Sequence, residues 1–336
     1  MSLGSDGFVW DNGASFVSSP RHSRSDFLKI MWWNIQFGDT NQWIAARRNG
    51  LMPLERNLEA LIDAPWCPDV LALGEFNENA ISKETMRRLF AAYPYFSDPY
   101  IPYNAETPDM GFMLLSKYPL RIIRQESMDY YPPKWSNQRR IRKYKQKWAK
   151  GFPDTRLFQR PYCLFEICWK NEPIYFVPTH ILTHVTKIVK KSRKRFWSLI
   201  KIKMDLALGK RTPIFNQLRR LRAFLEEDFG PALDRKNLVV MGDFNFPRKV
   251  YIDTLAYRFI SRGMVDPFRA KEVRTWPAKE SREAELLNTK NGYQIDLSFV
   301  SRNVDIGFND VVPMQGSDHL PVYLSVRTSG SPSSYS

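Results

Sequence analysis

The sequence predicts an α/β fold in which a layered β-sheet carries helices on its outer side. Short apolar runs typical of buried strands alternate with single segments of helical periodicity along the 336 residues. Such alternation is typical of sheets covered by helices. Polar residues follow the ends of the predicted strands, where α/β folds commonly place their functional sites. No internal repeat of fixed period is present.

The elements of the N-terminal half each have a local signal. A buried strand is predicted over Phe27–Gln36, and Pro53–Asp63 has leucines at helical spacing. The apolar run Asp69–Leu73 predicts a strand that ends at Gly74-Glu75. A short helix is predicted over Ser82–Ala91, with Ser82 as its N-cap. Further strands are predicted over residues 110–116, 120–125, 162–169 and 174–179.

Two helices open the C-terminal half. The first, Thr186–Leu208, is long, basic and amphipathic, and the second begins with Thr212 as N-cap and Pro213 in its first turn and ends at Gly230. The apolar strand Asn237–Met241 then runs into a Gly-Asp-Phe-Asn motif. The last predicted elements are a helix near residues 251–262 and strands over 294–300 and 321–326.

One large domain is predicted over residues 27–327, between flexible tails at residues 1–26 and 328–336. The N-terminal tail lacks the apolar core of a secretory signal, and no run approaches the roughly 18 consecutive apolar residues that span a bilayer. The three cysteines, Cys67, Cys163 and Cys168, have no CxxC spacing. We interpret them as buried thiols in a reducing compartment, which predicts an intracellular, cytoplasmic protein.

Charge is concentrated in two basic segments. Residues 134–160 contain ten Lys or Arg and one acid, a net charge of +9, and residues 185–222 contain thirteen and one, a net charge of +12. Because the whole chain carries only +15, the remainder is mildly acidic. We interpret both as basic insertions, near 134–160 and 185–211, that attract a polyanion. The residues assigned to nucleic-acid binding are Arg139, Arg140, Arg142, Lys143, Lys145, Lys147, Lys190, Lys191 and Lys194.

Several predicted strands deliver a carboxylate, amide or imidazole at their ends. Each such motif is weak alone, because strands often end in a solvated polar residue. Asn34, between large apolar residues, is harder to explain without a partner, since burying an unpaired amide is costly. The segments are Trp33-Asn34, Gly74-Glu75, Thr179-His180, Gly242-Asp243-Phe244-Asn245, Ile295-Asp296 and Ser317-Asp318-His319.

As an ordered set, these motifs resemble the endonuclease/exonuclease/phosphatase superfamily over roughly residues 27–327. The matching segments read WNIQ, LALGE, GFMLLSKYPL, PTH, GDFN, IDLSFVS and SDHLPV. The superfamily includes DNase I-like nucleases, abasic-site endonucleases, sphingomyelinases and inositol polyphosphate phosphatases. The resemblance implies a two-layered β-sandwich flanked by helices, the four-layer α/β/β/α arrangement, with the site at one edge of the sheets.

The resemblance also implies roles for individual residues. Asn34 and Glu75 match metal-site positions, and Asp318 matches a second metal contact or a structural carboxylate. The positions that match catalytic residues are His180 (phosphate contact and acid), Asp243 with Asn245 (orientation of the attacking water and the phosphate), and Asp296 with His319 (a carboxylate–imidazole pair). Many members carry Gln before the metal-binding Glu, where this chain has Gly74.

The chemistry of phosphodiester hydrolysis independently needs these residue types. A cation and fixed donors must neutralise charge on the phosphate oxygens. Oxygen ligands without thiolates favour Mg²⁺, with Mn²⁺ as the alternative. Attacking water must lose a proton near pH 7, which suits an imidazole held in one tautomer by a buried carboxylate. Asp296 and His319 are the predicted pair.

Family resemblance leaves the substrate open, because one fold hosts many phosphoesterases. Aromatic residues interleaved with basic ones near residues 135–148 favour nucleic acid, DNA before RNA, and the Cys-Asp-Arg and GDLN elements of inositol phosphatases are missing. We therefore predict a metal-dependent endonuclease. The alternative is a phosphoinositide- or sphingomyelin-type phosphoesterase at an anionic membrane surface, which the basic predicted helix could also contact. A small-nucleotide phosphatase and an inactive binding protein are weaker alternatives, and the sequence leaves protein partners unknown.

Overall fold

The structure is a computed structural model that describes residues 26–35, 53–77, 81–97, 101–104, 107–129, 159–181, 213–245, 248, 254–276, 292–314 and 316–329. These residues form two mixed β-sheets, of seven and six strands. Within the part of the chain so described, no helix combines the length and the apolar character needed to cross a membrane.

The first sheet has the strand order β12-β13-β1-β2-β5-β3, and β4 pairs with β5. Strands β1 and β2 are parallel, whereas their outer neighbours β13 and β5 pair antiparallel to them. The strands are β1 (Leu28–Asn34), β2 (Val70–Phe76), β3 (Tyr95–Phe96), β4 (Ile101–Asn104), β5 (Thr107–Ser116), β12 (Val304–Val311) and β13 (Val322–Thr328).

The second sheet has the order β10-β11-β9-β8-β7-β6. Strands β8 and β9 are parallel, and the other neighbours pair antiparallel. The strands are β6 (Leu120–Asp129), β7 (Gln159–Trp169), β8 (Glu172–His180), β9 (Leu238–Asp243), β10 (Met264–Val265) and β11 (Asp296–Ser301).

Helices cover the outer face of each sheet. Helices α1 (Pro53–Asp63) and α2 (Lys83–Ala92) pack with outward-facing residues of the first sheet. Helices α3 (Pro213–Phe229) and α4 (Leu255–Ser261) pack against the second sheet. A 3-10 turn at Leu233–Arg235 follows α3.

Side chains of both sheets meet in a third core cluster between them. Alternation along β1 supplies both faces, because successive strand residues point to opposite sides. Trp32 lies in the core between the sheets, and Trp33 lies in the core under α1 and α2. The predicted α/β/β/α sandwich is therefore confirmed.

Most predicted elements are present at their expected places. Ser82 caps α2 as predicted, its side chain accepting from the backbone of Thr85. Strand β12 was missed because Asp305, Gly307 and Asn309 resemble a loop; it is an edge strand with a register shift at Gly307. The other strands that were not predicted, β3, β4 and β10, have two to four residues each.

Some expectations need correction or lie elsewhere in the chain. All three cysteines are free, but Cys168 is exposed, contrary to the expectation that each is buried. It lies on strand β7 next to buried Ile167 and Trp169, so the alternation of the strand turns it outward. The predicted helix over residues 186–208, the cap at residue 212 and residues 1–25 and 330–336 of the tails fall outside the described residues.

Candidate active site

Three predicted site residues lie side by side on one row of the second sheet. Asp296, the first residue of β11, pairs with Asp243 at the end of β9, and Asp243 pairs with His180 at the end of β8. Residues opposite each other on neighbouring strands point to the same face. All three are at most 2% exposed, so the sheet presents two carboxyl groups and an imidazole at a single buried edge.

The turn after β9 holds Asp243 in place. Asn245 has a positive φ of 54°, and its backbone N–H donates to Asp243 Oδ1 at 2.7 Å. Its side-chain Nδ2 donates to Asp243 Oδ2 at 3.0 Å and to the carbonyl of Ile181 at 2.7 Å. Next to Asp243, strands β8 and β9 approach each other closely at the pair Thr179–Gly242. Glycine is required there, because a Cβ at Gly242 would lie 1.8 Å from the carbonyl oxygen of Thr179.

The first sheet contributes Asn34 and Glu75 from adjacent strand ends. Asn34 pairs with Gly74 in the parallel register of β1 and β2, and its Nδ2 donates to Asp243 Oδ2 at 3.2 Å. Glu75 has a positive φ of 50° at a register shift between β2 and β5. This irregularity brings Glu75 Oε1 to 3.4 Å from His180 Nε2, which also lies 3.6 Å from Asp243 Oδ2.

His319 enters the site from the turn before β13. Its Nδ1 lies 2.9 Å from Asp296 Oδ2, so the carboxylate fixes the tautomer with the proton on Nδ1. The backbone of His319 is held on two sides: its N–H donates to Ser317 Oγ at 3.1 Å, and its carbonyl accepts from Trp33 Nε1 at 3.1 Å. Nε2 of His319 lies 3.9 Å from Asp243 Oδ2.

Asp318 lies at the border of this site. Its Oδ2 accepts a hydrogen bond from Trp276 Nε1 at 2.8 Å, and its Oδ1 lies 3.8 Å from His319 Nε2. Two residues further along the same segment, Leu320 donates its N–H to the carbonyl of Thr275. Asp318 is thus both a hydrogen-bond acceptor for the wall of the site and a nearby negative charge for His319.

Burial and crowding of charge move two pKa values in this site. Burial raises the pKa of Asp243 well above its ordinary value, and the negative charges of Asp296 and Glu75 add to the shift against the opposing effect of His319. Burial by itself lowers the pKa of His319, but the carboxylates of Asp296 and Asp318 outweigh it, and the pKa lies well above its ordinary value. Without a bound cation, the site therefore favours a protonated His319 imidazole next to an Asp243 carboxyl group that loses its proton less readily than usual.

The donor set fits a divalent cation. Glu75, His180 and Asp243 offer ligand atoms that lie within 4.8 Å of one another, as do Asp243, Asp296 and His319. Ligands of one Mg²⁺ ion at about 2.1 Å lie at most about 4.2 Å apart, and the two distances from His180 Nε2 to Glu75 and Asp243 are shorter than this. A cation there would also offset the crowded negative charge.

The structure brings the predicted catalytic and metal residues into one connected cluster. Hydrogen bonds and distances under 4.0 Å link all eight of them: Asn34, Glu75, His180, Asp243, Asn245, Asp296, Asp318 and His319. Of the predicted metal residues, Asp318 lies near His319, whereas Glu75 belongs to a possible metal-ligand group with His180 and Asp243. The nine predicted nucleic-acid-binding residues lie outside the described residues.

Several residues that hold the site were not predicted. Trp32 Nε1 donates to Asp296 Oδ1 at 3.0 Å, and Thr275 Oγ1 accepts the backbone N–H of Asp296 at 3.1 Å. Ser317 Oγ donates to the carbonyl of Asn34 at 2.6 Å. The tandem Trp32-Trp33 before Asn34 was a signal, since buried indole N–H groups need acceptors. Thr275 and Trp276 had no such signal in the sequence, because the residues with which they form hydrogen bonds are distant along the chain.

Solved structures share this fold at low sequence identity. The endonuclease/exonuclease/phosphatase from Bacteroides vulgatus superposes with a TM-score of 0.54 at 13% identity, covering 90% of this chain and 99% of that chain. D. rerio TDP2 in complex with single-strand DNA product gives 0.52 at 14% identity, covering 90% and 99%. Sphingomyelinase C from Streptomyces griseocarneus gives 0.52 at 16% identity, with the same coverage.

Sequence comparison assigns the family directly. No curated protein matches the sequence significantly. Residues 31–319, which include every residue of the cluster described above, match the Endonuclease/Exonuclease/phosphatase family. The chain therefore belongs to that family and is a phosphoesterase of the DNase I-like fold.

Proposed function

We propose that this protein is a divalent-metal-dependent endonuclease that hydrolyses phosphodiester bonds of DNA. Nucleic acid is favoured over lipid as the substrate by the points at which the two basic segments join the described fold. Both join it at the edge of the second sheet that carries His180 and Asp243.

The first basic segment follows the hairpin of β6 and β7. Asp129 pairs with Gln159 at the end of this hairpin, so the two described residues that flank the first basic segment lie side by side. Strand β7 pairs with β8 at Phe165 and Phe176, and the two strands are antiparallel. The first residue of β7, Gln159, therefore lies at the same end of the sheet as His180, the last residue of β8.

The last described residue before the second basic segment lies at the site. This residue is Ile181, whose backbone N–H donates to the carbonyl of Asp243 at 2.7 Å. The chain is described again at Pro213, the first residue of α3. Residues 185–222 carry a net charge of +12 and residues 134–160 carry +9. Concentrated positive charge in segments that follow described residues of the reacting edge suits a polymer of phosphates, because such charge neutralises several phosphates while one is cleaved.

The pKa values suggest how the reaction is divided among the side chains. A carboxylate with a raised pKa is the better proton acceptor near neutral pH, so we assign to Asp243 the proton of the attacking water. His319, protonated through its contact with Asp296, donates a hydrogen bond to a phosphate oxygen. The sequence alone had suggested His319 as the proton acceptor, and the two assignments give different pH profiles.

The remaining groups complete the displacement at phosphorus. Water forms the new P–O bond, the ester P–O bond breaks, and the leaving alkoxide takes a proton from the imidazole of His180. Asn34 and Asn245 hold Asp243 Oδ2 through their amide groups. A bound divalent cation would supply charge neutralisation at the phosphate oxygens, and Glu75 is the member of the possible ligand group that has no proton-transfer role in this scheme.

Two of the similar structures represent the competing substrate classes. The D. rerio TDP2 structure contains a single-strand DNA product, and the Streptomyces griseocarneus protein is a sphingomyelinase C. Both match the fold equally well, with TM-scores of 0.52. The charge of the basic segments and the points at which they join the described fold favour the nucleic acid.

The deciding experiment compares substrates under one set of conditions. The purified protein is incubated with supercoiled plasmid in Mg²⁺ or in EDTA, and in parallel with vesicles containing sphingomyelin or phosphoinositides. We expect plasmid nicking that requires Mg²⁺ and no hydrolysis of either lipid. Lipid hydrolysis without nicking would replace the nuclease by the membrane phosphoesterase, and DNA retention without any product would leave only a binding protein.

A further inference from the structure

One indole bridges the two sheets and ends on the carboxylate that holds His319. Trp32 lies in β1 of the first sheet, and its ring is fully buried in the core between the sheets, edge-to-face with Phe112 at 5.9 Å. Its Nε1 donates to Asp296 Oδ1 at 3.0 Å. Asp296 belongs to β11 of the second sheet, so this hydrogen bond joins the sheets at the site itself.

Strand β2 leaves room for this ring. In the parallel register Trp32 lies beside Ala72, and Gly74 follows two residues later on the same face. A Cβ at Gly74 would lie 2.4 Å from Cη2 and 2.5 Å from Cζ2 of the Trp32 indole. The absence of a side chain at Gly74 is therefore a condition for the position of the ring.

The Asp296 carboxylate has a different donor on each oxygen. Oδ1 accepts from the Trp32 indole and Oδ2 from the His319 imidazole, at 3.0 and 2.9 Å. The side chain of Asp296 is 1% exposed, so losing either donor would leave a buried carboxylate oxygen without a hydrogen-bond partner. Rotation of the carboxylate would break both hydrogen bonds, so the indole fixes the plane in which His319 is held.

We propose that Trp32 is a positioning residue for the Asp296–His319 pair, and that Gly74 is glycine to admit its indole. The proposal rests on the proposed function, since it acts through His319. Trp32 touches no reacting atom; it determines the direction in which Nε2 of His319 points. A small change in that direction reduces catalysis more than substrate binding, because catalysis depends on aligned reacting groups.

The first test removes the donor and keeps an aromatic ring. Trp32→Phe should lower kcat about tenfold, the lower end of the effect of losing a group that orients a site residue, with KM unchanged within about twofold. Trp169→Phe is the matched control: Trp169 is buried in the same core, and its indole hydrogen-bonds Tyr118 instead of a site residue. Equal losses in both variants, or a change in KM alone, would overturn the proposal.

The second test uses the dependence on Gly74. Gly74→Ala should also lower kcat in the wild-type background, because its Cβ displaces the indole. The same substitution should have little further effect in Trp32→Phe, since Phe lacks the outer indole atoms that the Cβ would meet. Neither substitution should lower the residual rate of His319→Ala further. Additive losses in all these backgrounds would indicate general damage to the core and contradict a positioning role.

The third measurement separates this proposal from the proposed function. In ¹H–¹⁵N spectra of the metal-free protein, Trp32→Phe should remove one indole resonance and shift the Nδ1–H resonance of His319, whereas Trp169→Phe should leave the latter in place. A wild-type protein without phosphodiesterase activity would disprove the endonuclease while this shift still reported the bridge. An unshifted His319 resonance in an active enzyme would disprove the bridge alone.

Discussion

The two sheets contribute to the site in different ways. The second sheet supplies His180, Asp243 and Asp296 from three neighbouring strands in one regular row, all of them buried. The first sheet supplies Glu75 from a register shift with positive φ, and its side chain is 16% exposed. Regular pairing fixes groups whose mutual distances matter, whereas an irregular strand end turns a ligand outward to where an ion can reach it.

This difference assigns separate tasks to the two sheets. The row of the second sheet crowds like charges in a buried place, which raises the pKa of Asp243 and prepares proton transfer. The basic segments are also attached to this sheet. The first sheet supplies Glu75 as a possible ligand of a cation, and its Trp32 holds Asp296 of the second sheet by a hydrogen bond. Substitution of Glu75 on the first sheet should therefore weaken metal binding, whereas substitution of His319, which the second sheet holds through Asp296, should slow the chemical step.

The largest effect is expected from the imidazole held by the second sheet. His319→Ala should lower turnover at least about 10²-fold, the usual scale for loss of a proton-transfer or charge-stabilising group. Cation affinity should change little, since His319 is not a member of the possible ligand group that contains Glu75. Turnover is measured by plasmid nicking at saturating Mg²⁺. A near-normal rate would remove His319 from the mechanism.

The next effect concerns the ligand from the first sheet. Glu75→Gln keeps the shape of the side chain but removes its charge, and should weaken Mg²⁺ binding by more than about tenfold, because even groups that only support a metal ligand cost 10- to 100-fold. Calorimetric titration with Mg²⁺ measures this. Glu59→Gln is the control: Glu59 has a similar side-chain exposure, 19%, but pairs with Arg88. Equal affinity in both variants would exclude Glu75 as a ligand.

A third effect tests the attachment of the basic segments to the second sheet. Reversing Arg139 and Arg140 to Glu should weaken DNA binding about tenfold at low salt and flatten its salt dependence, by roughly one unit of slope for each lost phosphate contact. The control reverses Lys83 and Arg87 on α2, which packs on the first sheet, with the same change of net charge. Equal losses for both pairs would mean that binding follows net charge alone.

The smallest effect, a displacement of the pH profile, separates the two assignments of the proton acceptor. With Asp243 as acceptor, activity falls at low pH as Asp243 is protonated and at high pH as His319 loses its proton. The carboxylate of Asp318 also raises the pKa of His319, whereas the carboxylates that raise the pKa of Asp243 are those of Asp296 and Glu75. Asp318→Asn should lower the pKa of His319, so the alkaline limb should move to lower pH while the acidic limb stays. Movement of the acidic limb instead would make His319 the acceptor.

Local patterns predicted the strands that end in the site. The apolar run before Asp243 and the one before Glu75 are unambiguous because buried strands have few polar residues. Glu75 and His319 were identified through family resemblance, and their contacts were not predictable. The hydrogen bond between Trp32 and Asp296 joins residues 264 positions apart. Edge strand β12 was missed because its exposed positions carry residues typical of loops.

The sequence by itself determined the α/β class, the residue types at the strand ends and the two concentrations of positive charge, because each is written in local periodicity or composition. The family and the α/β/β/α layering were implied by the resemblance of its ordered motifs. Only the tertiary structure decided which strands are neighbours, and with that which carboxylates crowd each other. Pairing Asp243 with Asp296 in one buried row raises the pKa of Asp243. Electrostatic energy depends on distance and burial, and neither is contained in the order of residues along the chain.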